Sequence, residues 1–301
     1  MGKKEEMKYT QEELIKKTKF LKKMVARTPS GKRMSEGANG KELFLETSAG
    51  RVRVLGYKLD AKERLPLLVN FHGGGFIMGS PEMDDPYMPR VADEANVKIL
   101  SVDYSLAPED PFPKALQESY AVVKYAQEHP GEFGIDPERL AVSGHSAGGN
   151  FSAAICLMNA EHKELNIKCA ILDYPPLDVY TDAADKPRGK GFVAAIFLNP
   201  KRARVFDNCY HLNREERKNP LISPVYAEQD ALKTFPPTLI LTAGKDSLCP
   251  EAEKFRDLLI SAGVTVNHKR FEDSVHGFTL SDKPDAREGW KMMIEHIKQY
   301  I

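Results

Sequence analysis

The chain has 301 residues, 42% of them hydrophobic and 29% charged, which is room for one large α/β domain or two small ones around a sizeable core. Its 43 Lys+Arg balance its 43 Asp+Glu, so it lacks the basic excess that phosphate recognition requires, and no nucleic-acid partner is expected. No run of about 18 apolar residues argues for a membrane span, and the charged opening MGKKEEMKYTQEELIKK lacks the apolar stretch of a secretory signal.

Residues 10–27 place Leu14, Ile15, Leu21, Met24, Val25 and, loosely, Phe20 near one helical face, with lysines elsewhere. Thr10 with Glu13 three residues on forms a capping box for that helix. A Gly/Ser-rich connector follows. From Glu42 the texture turns to strand: LFLET and then RVRVLGYKL alternate with period two and read as a hairpin or edge pair. The runs LPLLVNFHGG (65–74) and VKILSVDYSLAPE (97–109) read as strands buried on both faces, with a turn and a helix between them. ALQESYAVVKYAQEHP (115–130) is a helix that stops before Pro130. GIDPERLAVSG is a turn and a strand, and AGGNFSAAICLMNAE continues as a helix. IKCAILDYPPLDVY (167–180) and PPTLILTAGKDSL (236–248) are further strands. A helix with Pro250 in its first turn and Gly263 at its end comes next. One more strand follows, and the last helix fills roughly 284–300.

Strands alternating with helices predict an α/β fold with a mostly parallel sheet flanked by helices. Residues 181–220 break the rhythm and read as an insertion above the carboxyl edge of the sheet, where such folds bind ligands. Cys156, Cys169, Cys209 and Cys249 are scattered without metal-binding spacing, so free thiols in a reducing, cytoplasmic compartment are expected.

Four features bear on chemistry. In LAVSGHSAGGN (140–150) a glycine stands two residues before and two after Ser146. That is either a plain turn or a nucleophile elbow, which admits only tiny neighbours around an exposed hydroxyl. His72-Gly73-Gly74-Gly75-Phe76 follows a buried strand and presents bare amides that could hold an oxyanion, a phosphate, or nothing. Asp246 closes a strand, placed either to orient a histidine or to cap the helix after it. His276 sits in a loop between the last strand and the last helix, and the order Ser146, Asp246, His276 matches that of α/β-hydrolases.

HGGGF (72–76), DYSLAPEDPFPKAL (103–116), GIDPERLAVSGHSAGGN (134–150), GKDSL (244–248) and VHGF (275–278) together resemble the hormone-sensitive-lipase-like family of α/β-hydrolases over most of residues 65–280. The resemblance implies a single α/β-hydrolase domain with a sheet of about eight strands, under a helical cap from about residues 1–40 and 180–220. It implies a serine carboxylesterase for short- to medium-chain acyl esters, with Ser146 as nucleophile, His276 as general base and acid, and Asp246 as its orienting partner. The oxyanion donors carried over are the amides of Gly74, Gly75 and Ala147, and no cofactor or metal is implied. Phe76, His145, Phe192 and Phe197 are candidate substrate-binding residues. The partner is a small-molecule ester, and family members occur as monomers and as homodimers. A serine peptidase or amidase, a sugar acetyl esterase and a non-catalytic ligand-binding relative are the alternatives on the same scaffold. The chain departs from the family at His145, where an Asp is usual, at Ser105, where an Arg is usual, and in Ser247-Leu248-Cys249-Pro250-Glu251 after Asp246.

Overall fold

A computed structural model describes residues 9–25 and 38–301, with only the helical backbone described for Met24 and Val25. Most of the predicted connector and part of the predicted cap segment therefore lie outside the described residues. The apolar runs pair into one eight-stranded sheet of order β1-β2-β4-β3-β5-β6-β7-β8. Its strands are β1 (Lys41–Thr47), β2 (Gly50–Tyr57), β3 (Leu65–Phe71), β4 (Lys98–Asp103), β5 (Ile135–His145), β6 (Ile167–Asp173), β7 (Thr238–Ala243) and β8 (Val266–Phe271). β1 and β2 make the expected antiparallel hairpin, and β2 also runs antiparallel to β4. The pairings from β4 through β8 are all parallel.

Both faces of the sheet are covered, which is why β3 and β7 are buried at every residue. Leu67, Val69 and Phe71 of β3 point into a core shared with α3 (Lys114–Glu128), α4 (Ala147–His162) and α7 (Cys249–Ser261). Leu68 points the other way, into a core closed by α2 (Met88–Glu94) and α8 (Pro284–Tyr300). Trp290, Met293, Ile294 and Ile297 form the stripe at helical spacing that α8 buries there.

The insertion supplies α5 (Gly191–Ile196) and α6 (Pro200–Tyr210). Asn199 caps α6 by accepting the Arg202 N–H at 3.2 Å, with Pro200 in its first turn. α1 (Gln11–Val25) begins with the predicted box: the Thr10 N–H donates to Glu13 Oε2 at 2.8 Å and the Glu13 N–H to Thr10 Oγ1 at 3.2 Å. Its Leu14 and Leu21 pack with Val205, Phe206 and Cys209 of α6 and with Ile77 and Met78, just beyond the glycine run. Phe20 departs from the predicted face and lies exposed, because Thr18 takes the buried position between Leu14 and Leu21. The segments that open and interrupt the α/β alternation thus meet above the glycine-rich loop.

All four cysteines are buried free thiols. Among the described residues no helix is long and apolar enough to cross a membrane.

Candidate active site

Because β3, β5, β7 and β8 run parallel, the segments that follow them emerge at one edge of the sheet. Ser146 is the single residue between β5 and α4, held at φ 52° and ψ −117°. A side chain other than glycine's has few reasons to adopt that conformation, and strain of this kind is held by its surroundings. The surroundings are steric. A Cβ on Gly144 would collide with the Gly148 carbonyl, and a Cβ on Gly148 would collide with the Phe71 carbonyl. The two glycines let helix and strand close on each other, and the Ser146 N–H is tied to the Asp173 carbonyl at 2.8 Å. The plain-turn reading of the motif therefore gives way to the elbow.

The glycine-rich loop approaches the same corner. Gly74 sits at φ +136°, where a Cβ would collide with the Met78 carbonyl, and Gly75 at φ +61°, where a Cβ would come within 2.8 Å of the Phe206 ring. Among the described residues the amides of Gly74, Gly75 and Ala147 make no hydrogen bond. Ala147 opens α4, whose first-turn amides have no partner within the helix. These bare donors are what an oxyanion would require.

His276 lies past β8 on a loop that turns at Gly277, φ 82°. Its Nδ1–H donates to Asp246 Oδ2 at 2.6 Å, leaving Nε2 to accept from Ser146 Oγ at 2.9 Å. The Asp246 and His276 side chains are almost entirely shielded, 1% and 8% exposed, so this contact lies in a medium that screens little. Asp246 stands in the turn between β7 and α7, and its Oδ1 accepts the Leu248 N–H at 3.1 Å. The residue before α7 is Leu248, so the capping alternative for Asp246 does not hold, although that turn does use its second oxygen. The Tyr174 ring meets the imidazole edge-on, centroids 4.8 Å apart.

His145, directly before the serine, is turned away from that line of contacts. Its Nδ1 is 2.6 Å from Asp173 Oδ2 and its Nε2 is 4.0 Å from Asp84 Oδ1, with all three side chains buried. Burial opposes a charge on the ring, yet the Asp84 and Asp173 carboxylates outweigh it and raise the His145 pKa above its ordinary value. Thr279 donates to the same Asp173 oxygen at 2.6 Å, which ties the segment just after His276 to the strand end beside Ser146.

Two cavities adjoin the serine. The larger, about 470 Å³, is lined by Ser146, His276, Phe192, Phe197 and one side of His145. Phe76 is not part of it. That ring is buried against Tyr210, centroids 3.8 Å apart, and borders the smaller cavity of about 60 Å³. Phe192 is mostly exposed, a rim rather than a wall. Phe206, a cap residue the sequence also offers as a pocket-lining candidate, borders both cavities, whereas sequence reasoning did not single out Asp173 or Tyr174. Asp173 carried the one available signal, an acid closing a buried strand as Asp246 nearly does.

A family model described as the alpha/beta hydrolase fold matches residues 68–280. This chain belongs to that family. The α/β-hydrolase is 33% identical over 240 residues to the carboxylic ester hydrolase LipN of Mycobacterium tuberculosis, a match spanning 79% of this chain and 63% of LipN. The chain thus matches somewhat less than two thirds of LipN's length. It is 31% identical to an arylesterase of Saccharolobus solfataricus, over 79% of this chain and 78% of the arylesterase. Among solved structures, a hyperthermophilic esterase from the archaeon Pyrobaculum calidifontis superposes with a TM-score of 0.84 at 28% identity, covering 93% of each chain. The metagenomic carboxylesterase EstE1 superposes with a TM-score of 0.82, also at 28% identity, over 93% of this chain and 96% of EstE1. The resemblance to hormone-sensitive-lipase-like α/β-hydrolases drawn from the motifs, and the eight-stranded sheet it implied, are borne out.

Proposed function

We propose that this α/β-hydrolase is a serine carboxylesterase for short- to medium-chain acyl esters, with Ser146 as nucleophile, His276 as base and acid, and Asp246 as orienting partner. The observation that carries the reading is the unbroken contact line of 2.9 Å and 2.6 Å from Ser146 through His276 to Asp246. The named relatives, which are ester hydrolases, support the same chemistry.

A serine hydroxyl is a poor nucleophile until a base takes its proton during attack. His276 Nε2 takes that proton as Oγ adds to the ester carbonyl. The carbonyl π electrons move onto oxygen, and the amides of Gly74, Gly75 and Ala147 receive the charge. Collapse of the tetrahedral species breaks the bond to the alcohol oxygen, which leaves with the proton returned by His276. A water, deprotonated by the same nitrogen, then adds to the acyl-serine; collapse breaks the bond to Ser146 Oγ, which takes the proton back from His276 as the acid is released. Asp246 keeps the imidazole in the tautomer that accepts at Nε2 and steadies the transient cation without itself taking the proton.

The segment carrying α5 and α6 acts as a cap over this edge, since Phe197 and Phe206 reach from it into the space beside Ser146, and α1 packs on it from outside through Leu14 and Leu21. A cytoplasmic location fits the four buried free thiols. The direct test is hydrolysis of p-nitrophenyl acetate or butyrate. Ser146→Ala is expected to lower kcat by about a thousandfold or more. A variant that turns over at the parent rate removes Ser146 from the mechanism.

A further inference from the structure

The two cavities that meet at Ser146 differ in chemistry as well as in size. Gly75, Ser146, Leu198 and Phe206 border both. His276 borders only the larger one of about 470 Å³. Lys186 and Asp207 border only the smaller one of about 60 Å³. On the catalytic reading above, the departing alcohol oxygen must collect its proton from His276. The alcohol therefore lies on the His276 side, and the acyl chain is left with the small cavity. At about 60 Å³ it is the more confined of the two and has room for a short acyl group.

A wholly apolar pocket would suit a plain alkyl chain, but this mostly apolar lining is interrupted by Lys186 and Asp207, with Asp178 also at its wall. The Lys186 ammonium is buried, 2.6 Å from Glu251 Oε2 and 2.6 Å from the Asp178 carbonyl, so two of its three N–H groups are used. Among the described residues the Asp207 carboxyl accepts no hydrogen bond. Burial pushes that carboxyl up to about 6, against the downward pull of the Lys186 and Arg217 charges. An alkyl chain entering the cavity would strip water from both polar groups and return nothing, the costly half of a hydrogen-bond exchange. An acyl group with a cationic end would face the Lys186 charge, and one with an anionic end would face Asp207 beside Glu251.

We propose that the small cavity is a selectivity site for short hydroxyacyl esters, whose hydroxyl donates to the Asp207 carboxylate and accepts from the Lys186 ammonium. A neutral group that both donates and accepts is the one chemistry that satisfies both partners. A site built to bond a hydroxyl discriminates against the analogue lacking it far more strongly than an apolar pocket discriminates by size.

The test compares p-nitrophenyl esters that differ only by hydroxyl for methyl: 2-hydroxypropanoate against 2-methylpropanoate, and 3-hydroxybutanoate against 3-methylbutanoate. Each kcat/KM is divided by the rate of hydroxide-catalysed hydrolysis, so that intrinsic reactivity cancels. The corrected ratio is expected to favour the hydroxyacyl ester by about 10- to 100-fold. Asp207→Leu should bring the ratio close to one, while Asp207→Asn, which keeps an accepting oxygen, should retain part of it. A parent ratio near one, a ratio unchanged in Asp207→Leu, or a stronger preference for the glycyl ester overturns the hydroxyacyl assignment. Turnover of the acetyl ester, lost in Ser146→Ala, separates the two levels. If it is present without any hydroxyl preference, only the selectivity inference falls; if no ester is cleaved through Ser146, the catalytic reading falls with it.

Discussion

His145 stands beside the proposed nucleophile yet points its ring nitrogens at Asp173 and Asp84, 2.6 Å and 4.0 Å away. Its role follows from charge. The buried His145 ring between the Asp173 and Asp84 carboxyl groups holds together the ends of β5 and β6, and through Thr279 the loop carrying His276. The folded-state pKa of His145 is raised above the ordinary 6.5. A raised value means that the folded protein keeps this proton to higher pH than the unfolded chain does. The stability it contributes is therefore complete below the ordinary value and is lost as pH rises through the folded one. Unfolding free energy measured by urea titration across that interval should fall with rising pH. In His145→Leu, the buried Asp173 and Asp84 carboxyls lose their shared partner, which should cost about 3–5 kcal/mol near neutrality. The same variant should recover stability on acidification, as the carboxylates protonate. A variant with the parent's stability and the parent's pH slope contradicts the charged bridge.

At the scale of elements, the decisive unit is β5, the single residue Ser146, and α4. The unit works because Gly144 and Gly148 have no side chain where helix and strand press together. Adding one methyl group at 148 aims it at the Phe71 carbonyl, a backbone atom that cannot swing aside. Gly148→Ala should therefore destabilise the protein by about 1–3 kcal/mol, the usual range for overpacking. Because the clash pries α4 from β3, the same change should lower kcat for acetyl ester turnover, with KM affected less. Denaturant unfolding together with steady-state kinetics checks both. A fully stable and fully active alanine variant removes the steric account of the elbow. α1 tells a complementary story. Its capping box is local and fully legible from Thr10 and Glu13, whereas its buried face is set by the packing of Leu14 and Leu21 on α6, Ile77 and Met78, which leaves Thr18 buried and Phe20 in solvent.

For the whole molecule, the sheet brings four segments to one edge and the two cavities set what reaches them. The large cavity, about 470 Å³, lies within the usual range of small-molecule sites. The small one, about 60 Å³, is far more confined and disfavours a long acyl chain. In a series of p-nitrophenyl esters, acyl groups beyond about ten carbons should fall at least about tenfold below butyryl in kcat/KM. Enlarging the alcohol with apolar groups at fixed acyl length should be tolerated. Comparable turnover of a palmitoyl ester would show that the acyl chain leaves by another route.

From the sequence alone the alternation of strands and helices could be read, because apolar periodicity and turn residues are local properties that each segment carries with it. The glycines around Ser146, the bare amides after β3, and the chain order of Ser146, Asp246 and His276 could be read as well. They sit at fixed short spacings, or in an order that the strand sequence imposes. Which of two readings held at Asp246, and where His145 points, depended on distances between residues far apart in the chain, and only the packed sheet supplies those. The same is true of the small cavity. Lys186, Asp207 and Ser146 lie on separate segments, and their charges acquire meaning only when folding removes the water between them. Periodicity speaks for the backbone, but electrostatics in a cavity speaks for neighbours that the chain order does not name.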